Sequence, residues 1–177
     1  KASLMDGNGN TTRYEYDPFD RLRREIYPDT TYEQSSYDTA GNLRQKRRRA
    51  GEIITYTYDG LNRLRQKILP GGTTTAYSYD LAGRLTDTTD ASGALRHRYD
   101  SAGRLEEVTS ADGRTVQYER DPGSNKTRLT YPDGSFVTNE YDQLNRLTDV
   151  RASGITTLAQ YTYDPLSRRT SLTYANG

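Results

Sequence analysis

Tyr77-Ser78-Tyr79-Asp80-Leu81-Ala82-Gly83-Arg84-Leu85 returns, little changed, as His97-Arg98-Tyr99-Asp100-Ser101-Ala102-Gly103-Arg104-Leu105, and the likeness of these two runs decides the fold. Outward from them, a Tyr-Asp pair recurs at Tyr16-Asp17, Tyr37-Asp38, Tyr58-Asp59, Tyr141-Asp142 and Tyr163-Asp164. Arg120-Asp121 keeps the register with its Tyr replaced. Successive steps are 21, 21, 21, 20, 21, 21 and 22 residues, which makes eight copies. A fixed period of this length marks a repeat architecture, in which each unit buries its surfaces only against its neighbours.

Other positions keep the same time. Four residues after each Asp stands Arg or Asn, and the next residue is Leu in six of the eight copies, Lys126 and Arg169 being the exceptions. Fourteen residues after the Tyr position come Gly51, Gly72, Gly93, Gly113, Gly134 and Gly177, with Gly154 one residue early and Thr30 in place of a glycine. Asn8-Gly9 belongs to the same series. Each unit therefore reads as a two-stranded antiparallel ribbon. Asp-Gly, Asn-Gly, Gly-Gly and Ser-Gly supply the positive backbone angles of primed hairpin turns. At the opposite reversal, Asp-x-x-Gly-Arg, the Asp side chain accepts from amides two or three residues on and pairs with the Arg four residues on. Such exposed ion pairs contribute only about 0–1 kcal/mol. Tyr-x-Tyr places both rings on one face, and stacking of units predicts ladders of Tyr beside Tyr and Leu beside Leu.

Leu, Ile, Val, Phe and Met make up only 28 of 177 residues, a fraction that suggests disorder when net charge is high. Net charge is only +1 and sixteen Tyr carry much of the apolar area, so the chain reads as an ordered all-β array with a thin core and two largely polar sheet faces. Nothing in composition divides residues 1–177, which read as one array of about eight units. The absence of Cys excludes disulfides and Cys-based metal sites. No stretch approaches the length of an apolar membrane span, and no signal peptide is evident. The chain opens at Lys1 in mid-strand by the register and closes on Asn176-Gly177, a turn position, as an internal slice of a longer protein would.

Tyr79 to Leu85 and Tyr99 to Leu105, repeated in register from about Leu4 to Gly177, resemble the Rhs/YD-repeat family. That resemblance implies β-hairpins spiralling into a continuous antiparallel sheet, part of a hollow shell. It also implies a large secreted or surface-displayed protein: a bacterial polymorphic toxin or toxin-complex subunit whose shell encloses a C-terminal effector, a wall-associated protein, or a teneurin-like adhesion protein. The partners it implies are the chain's own adjacent repeats and such an effector domain. The toxin branch carries an aspartyl self-cleavage segment with Asp-Pro and glycines. Asp121-Pro122-Gly123 is superficially similar, yet it occupies the ordinary pair position, as do Asp17-Pro18 and Asp164-Pro165, and Pro suits that turn slot.

Chemistry-bearing residues are sparse. His97, the only His, replaces the first Tyr of a Tyr-x-Tyr and reads as a ring in the ladder; no Gly-x-Ser-x-Gly elbow accompanies it. Asp6-Gly7-Asn8-Gly9-Asn10 starts like a calcium loop but lacks the closing Glu, so it reads as a turn. Glu106 and Glu107 fall on opposite faces of a strand by alternation, which disqualifies them as an acid–base pair. No cofactor or metal is expected, and the reading is non-enzymatic. The basic run Arg44, Lys46, Arg47, Arg48 and Arg49 is the sharpest local anomaly and a candidate contact for phosphate or sulfated glycan. Near-neutral overall charge argues against a nucleic-acid partner. Exposed Tyr beside Asp and Arg offers the alternative of an adhesion or carbohydrate-binding module, and unpaired terminal strands would favour self-association.

Overall fold

The computed structural model describes residues 2–175. Lys1, Asn176 and Gly177 lie outside the described residues, and with them the expected chain opening at Lys1 and the turn at Gly177. The described chain is all β and consists of two compact units, Lys1–Ser92 and Gly93–Gly177.

The first unit is a meander of β1 (Ser3–Met5), β2 (Thr11–Tyr16), β3 (Leu22–Ile26), β4 (Tyr32–Tyr37), β5 (Leu43–Arg47), β6 (Ile53–Tyr58), β7 (Leu64–Ile68), β8 (Thr74–Tyr79) and β9 (Leu85–Asp90). Each strand pairs antiparallel with the next. The second unit repeats the plan with β10 (Gly93–Tyr99), β11 (Leu105–Thr109), β12 (Thr115–Arg120), β13 (Lys126–Thr130), β14 (Phe136–Tyr141), β15 (Leu147–Ala152), β16 (Thr156–Tyr163) and β17 (Arg169–Tyr174). Here too every successive pair is antiparallel.

The reversals differ from expectation. At Asp17 to Arg21 the Asp20 N–H donates to the Asp17 carbonyl at 3.0 Å and the Asp17 N–H to the Arg21 carbonyl at 2.9 Å. Only Asp20 has positive φ, at 60°. This is a three-residue loop closed by one left-handed residue rather than a primed two-residue turn. The same pair of bonds closes all eight Tyr-Asp loops and six reversals at the other end of the hairpins, including Asp6 to Asn10 and Ser110 to Arg114. Asn-Gly and Asp-Gly serve this loop as well as a primed turn, since either needs a left-handed Gly at its last position. The reversal of residues 153–155, between paired Ala152 and Thr156, differs in backbone, with Ser153 and Gly154 both at positive φ, 49° and 71°. It sits in the 22-residue unit, where Leu158 is the extra residue of a bulge in β16. The 20-residue unit has a short reversal, Ala91–Ser92, where Asp90 accepts from the Ser92 N–H at 2.8 Å. Gly93 follows it at φ 121°, and has a further reason to lack a side chain: a Cβ there would lie 2.2 Å from the Ala111 Cβ.

Each hairpin also carries a β-bulge at the Tyr-Asp end. In the first, Tyr16 stands opposite Leu22 while Glu15 stands opposite Arg24, so Arg23 is the extra residue. Seven further bulges follow, at Tyr37, Tyr58, Tyr79, Tyr99, Arg120, Tyr141 and Tyr163. A bulge bends the strand and resets side-chain alternation.

The core is thin, as expected: among the described residues only Ile54 and Ala159 are buried, at 3% and 6% exposure. The expectation of two polar faces fails in the second unit. There His97–Val108–Val116, Tyr118–Leu129–Val137, Val150–Ala159 and Tyr161–Leu172 stand directly opposite one another and share a face. Glu107–Gln117 and Arg128–Thr138–Arg151 occupy the other face. Cross-strand apolar pairs of this kind contribute roughly 0.2–1 kcal/mol each.

Candidate functional site

The residues that define the repeat converge on the Tyr-Asp loops. Asp17 Oδ1 accepts from the backbone N–H of Phe19 at 2.9 Å and of Arg21 at 3.0 Å, and Oδ2 accepts from Arg21 Nε at 2.7 Å. Asp59, Asp100, Asp142 and Asp164 repeat all three contacts, and Asp80 repeats the two from Arg84. Where Asn replaces Arg, its side-chain amide takes the second oxygen, at 3.0 Å for Asn42 on Asp38 and 2.9 Å for Asn125 on Asp121. The amides lie two and four residues on, rather than two or three, because the three-residue loop brings the fourth residue back beside the Asp. All eight pair carboxyls are held below their ordinary value. The first cause is the guanidinium hydrogen bond for Asp17, Asp59 and Asp142, and the Asn amide for Asp38 and Asp121. For Asp80, Asp100 and Asp164 it is the backbone N–H of the Arg.

The pair Tyr works between hairpins. The Tyr37 hydroxyl donates to the Leu22 carbonyl of the preceding hairpin at 2.9 Å, and Tyr58 to Leu43, Tyr79 to Leu64, Tyr141 to Lys126 and Tyr163 to Leu147 do the same. Within its own hairpin the Tyr faces Leu, as Tyr58 faces Leu64, so Tyr and Leu alternate across the strands and Tyr does not stack on Tyr. The loop Arg also reaches the following hairpin. Arg104 Nη1 donates to the Asp121 carbonyl at 3.1 Å and to Ser124 Oγ at 3.0 Å, and Arg146 to Asp164 and Ser167 at 3.2 Å each. Arg21, Arg63 and Arg146 lie 4.4–4.7 Å from the ring centroid of the next pair Tyr. Asn42 bridges instead to Asn62, and Asn125 to Asn145, each at 2.9 Å. Asp fixes a loop, Arg or Asn carries the register onward, and Tyr fastens it backward.

The remaining candidates are absorbed locally. In the basic run Lys46 pairs with Glu33 at 3.1 Å, Arg48 with Glu52 at 3.7 Å, and Arg49 with Asp29 while lying over Tyr27. Arg47 donates to the Tyr32 carbonyl at 2.8 Å over the Tyr32 ring. Arg44 alone of the run is exposed and without a partner among the described residues. Asp6 spends its carboxylate on Asn8 and Asn10, as a turn rather than a calcium loop. No group of three or more His, Cys, Asp or Glu that could hold a metal ion occurs among the described residues. His97 is half-buried opposite Val108. Glu106 and Glu107 do not diverge as simple alternation predicts: the bulge beside Tyr99 lets Arg98 bind both, at 2.7 and 2.9 Å. Among the described residues no helix is long and apolar enough to cross a membrane.

Two features escaped the sequence. Phe19, Leu61, Leu144 and Leu166, each two residues after a pair Asp, are 63–77% exposed at the loop tips. The residue after each ladder Leu is a bulge residue, and in the first three hairpins it is Arg.

The Teneurin YD-shell family model matches residues 66–153, and the RHS Repeat model matches 2–32, 37–71 and 141–177, together more than half of the chain. No curated protein matches. Among solved structures the chain is similar to the crystal structures of TcdB2-TccC3-TEV (15% identity, TM-score 0.48) and TcdB2-TccC3-Cdc42 (15%, 0.49). It is also similar to a Photorhabdus luminescens Tc holotoxin pore carrying a substituted TccC3 (16%, 0.48). In each case 97% of this chain aligns and spans only 14% of the other. The loop that Asp ties, Arg extends and Tyr fastens is thus the structural content of a known repeat, and the chain belongs to the RHS repeat family.

Proposed function

We propose that residues 1–177 are one array of about eight units within a longer secreted or cell-surface protein, serving as non-catalytic wall that encloses or presents a C-terminal effector domain. The observation that carries this reading is the use of the repeat's defining side chains. Pair Asp, loop Arg or Asn, and pair Tyr spend their polar atoms on their own loop or on the neighbouring hairpin. Residues so employed build wall, not an active centre. A wall acts by exclusion, keeping what lies behind it from solvent and from proteases until it is opened.

Limited proteolysis of the parent protein tests this. The domain downstream of the repeats is expected to resist protease in the native protein and to be digested once urea has unfolded the repeats. A downstream domain that is equally accessible before and after unfolding overturns the reading.

A further inference from the structure

We propose that strand β6 is a self-association segment, which stacks as cross-β on the same strand of a second copy of this chain unless the basic run Arg44–Arg49 keeps the copies apart. β6 reads Ile53-Ile54-Thr55-Tyr56-Thr57-Tyr58: only β-branched and aromatic residues, with no charge, no Pro and no Gly. Short segments of that composition form dry zippers between identical chains. Among the described strands of six residues or more, only β8 and β16 also lack a charge. Each of those differs from β6. β8 has no Ile, Leu, Val or Phe and follows Pro70-Gly71-Gly72, and β16 is broken by the bulge at Leu158. β6 has no extra residue of its own. In the folded chain it is paired on both sides, by β5 and β7, and holds Ile54, the most buried of the described residues. The segment is therefore available to a second copy only while the sheet is unformed or opened.

The place and charge of the basic run fit this guarding role. Five of the six residues from Arg44 to Arg49 are cations, and only Ala50, Gly51 and Glu52 separate them from β6. Their contacts in the fold do not call for such a cluster. Lys46–Glu33, Arg48–Glu52 and Arg49–Asp29 are surface pairs, which contribute little, and Arg44 has no partner among the described residues. Beyond β6 stand Asp59 and then Arg63, Arg65 and Lys67, so both flanks are net positive. Copies stacked as cross-β repeat about every 4.8 Å. In a parallel stack the run lies against itself, and in an antiparallel stack it lies against Arg63, Arg65 and Lys67. Cation meets cation either way. Charges flanking an aggregation-prone strand oppose its stacking in this manner. The repulsion reaches roughly 30 Å at about 0.01 M salt but only about 3 Å at about 1 M, less than the stacking distance. The guard is electrostatic, and salt removes it.

Refolding of the 177-residue chain by dilution from urea, followed by thioflavin T fluorescence, tests the guard. The unsubstituted chain should stay soluble at low ionic strength and form cross-β aggregate at about 1 M salt. Arg44→Gln, Lys46→Gln, Arg48→Gln and Arg49→Gln together should bring aggregation to low salt, at least about tenfold faster than in the unsubstituted chain. Removing these four cations takes net charge from +1 to −3, so a general effect of charge on solubility predicts the opposite. Arg44→Lys, Arg48→Lys and Arg49→Lys together keep the charge while losing the guanidinium contacts, and should refold as the unsubstituted chain does. Thr57 is exposed and faces the uncharged Gln66, so Thr57→Lys fits the fold. Added to the neutralised variant, it should restore solubility by placing a cation inside the zipper. A neutralised variant that refolds soluble at low salt, a lysine variant that aggregates as fast as the neutralised one, or a protease-resistant aggregate core that excludes residues 53–58 overturns the proposal.

Discussion

Thr30 is a β-branched residue at φ 68°, in a slot that is glycine in the equivalent loops at Gly9, Gly51, Gly72, Gly113 and Gly134. The left-handed conformation costs an ordinary residue about 1–2 kcal/mol, so Thr30→Gly should raise stability by about 1 kcal/mol, read as a higher denaturant midpoint. Gly113, at φ 82° with open space around it, is the converse. Gly113→Val should lower the midpoint through backbone strain alone, while Ala82→Ser, on an exposed tip, should leave it nearly unchanged. Equal midpoints for the last two variants would refute the strain argument. The sequence marks these slots through the period of its glycines. It does not distinguish one positive angle from two, because Asp-Gly satisfies both kinds of loop.

Between elements, the Tyr hydroxyl is the fastening that composition conceals. A Tyr ring fits any strand, and nothing local says that its hydroxyl will find a carbonyl fifteen residues back, as Tyr58 finds Leu43. Tyr58→Phe keeps the ring and removes the bond, and should cost about 1 kcal/mol in chemical denaturation; a neutral substitution would mean that water replaces the hydroxyl. The bulges were equally hidden. Strict alternation places Glu106 and Glu107 apart, but the extra residue of that hairpin undoes the reading. By contrast, the Asp–Arg tie was legible, since a carboxylate and a guanidinium four residues apart across a turn have few other geometries open to them.

Across the whole molecule, all eight pair Asp carboxyls are lowered, and in the second loop series Asp112 falls to about 2. A carboxyl with a depressed folded value stabilises above its unfolded value, near 3.8, and ceases to do so as pH falls through the folded one. The denaturant midpoint should therefore be level at neutral pH and decline below about pH 4; a midpoint that climbs on acidification would contradict the loop geometry. The hairpin plan of both units was readable from the period alone. The apolar face of the second unit was not, because Val108, Val116, Leu129 and Val137 lie far apart in sequence and become one surface only through register. The two irregular steps have a last consequence. The 20-residue step is shortened at the Ala91–Ser92 reversal and the 22-residue step is lengthened at the Leu158 bulge beside Ser153–Gly154, while all eight Tyr-Asp loops are closed alike. One margin of the hairpins is a ruler and the other is adjustable, so an epitope tag or fluorescent probe grafted at the adjustable margin should be carried without disturbing the count.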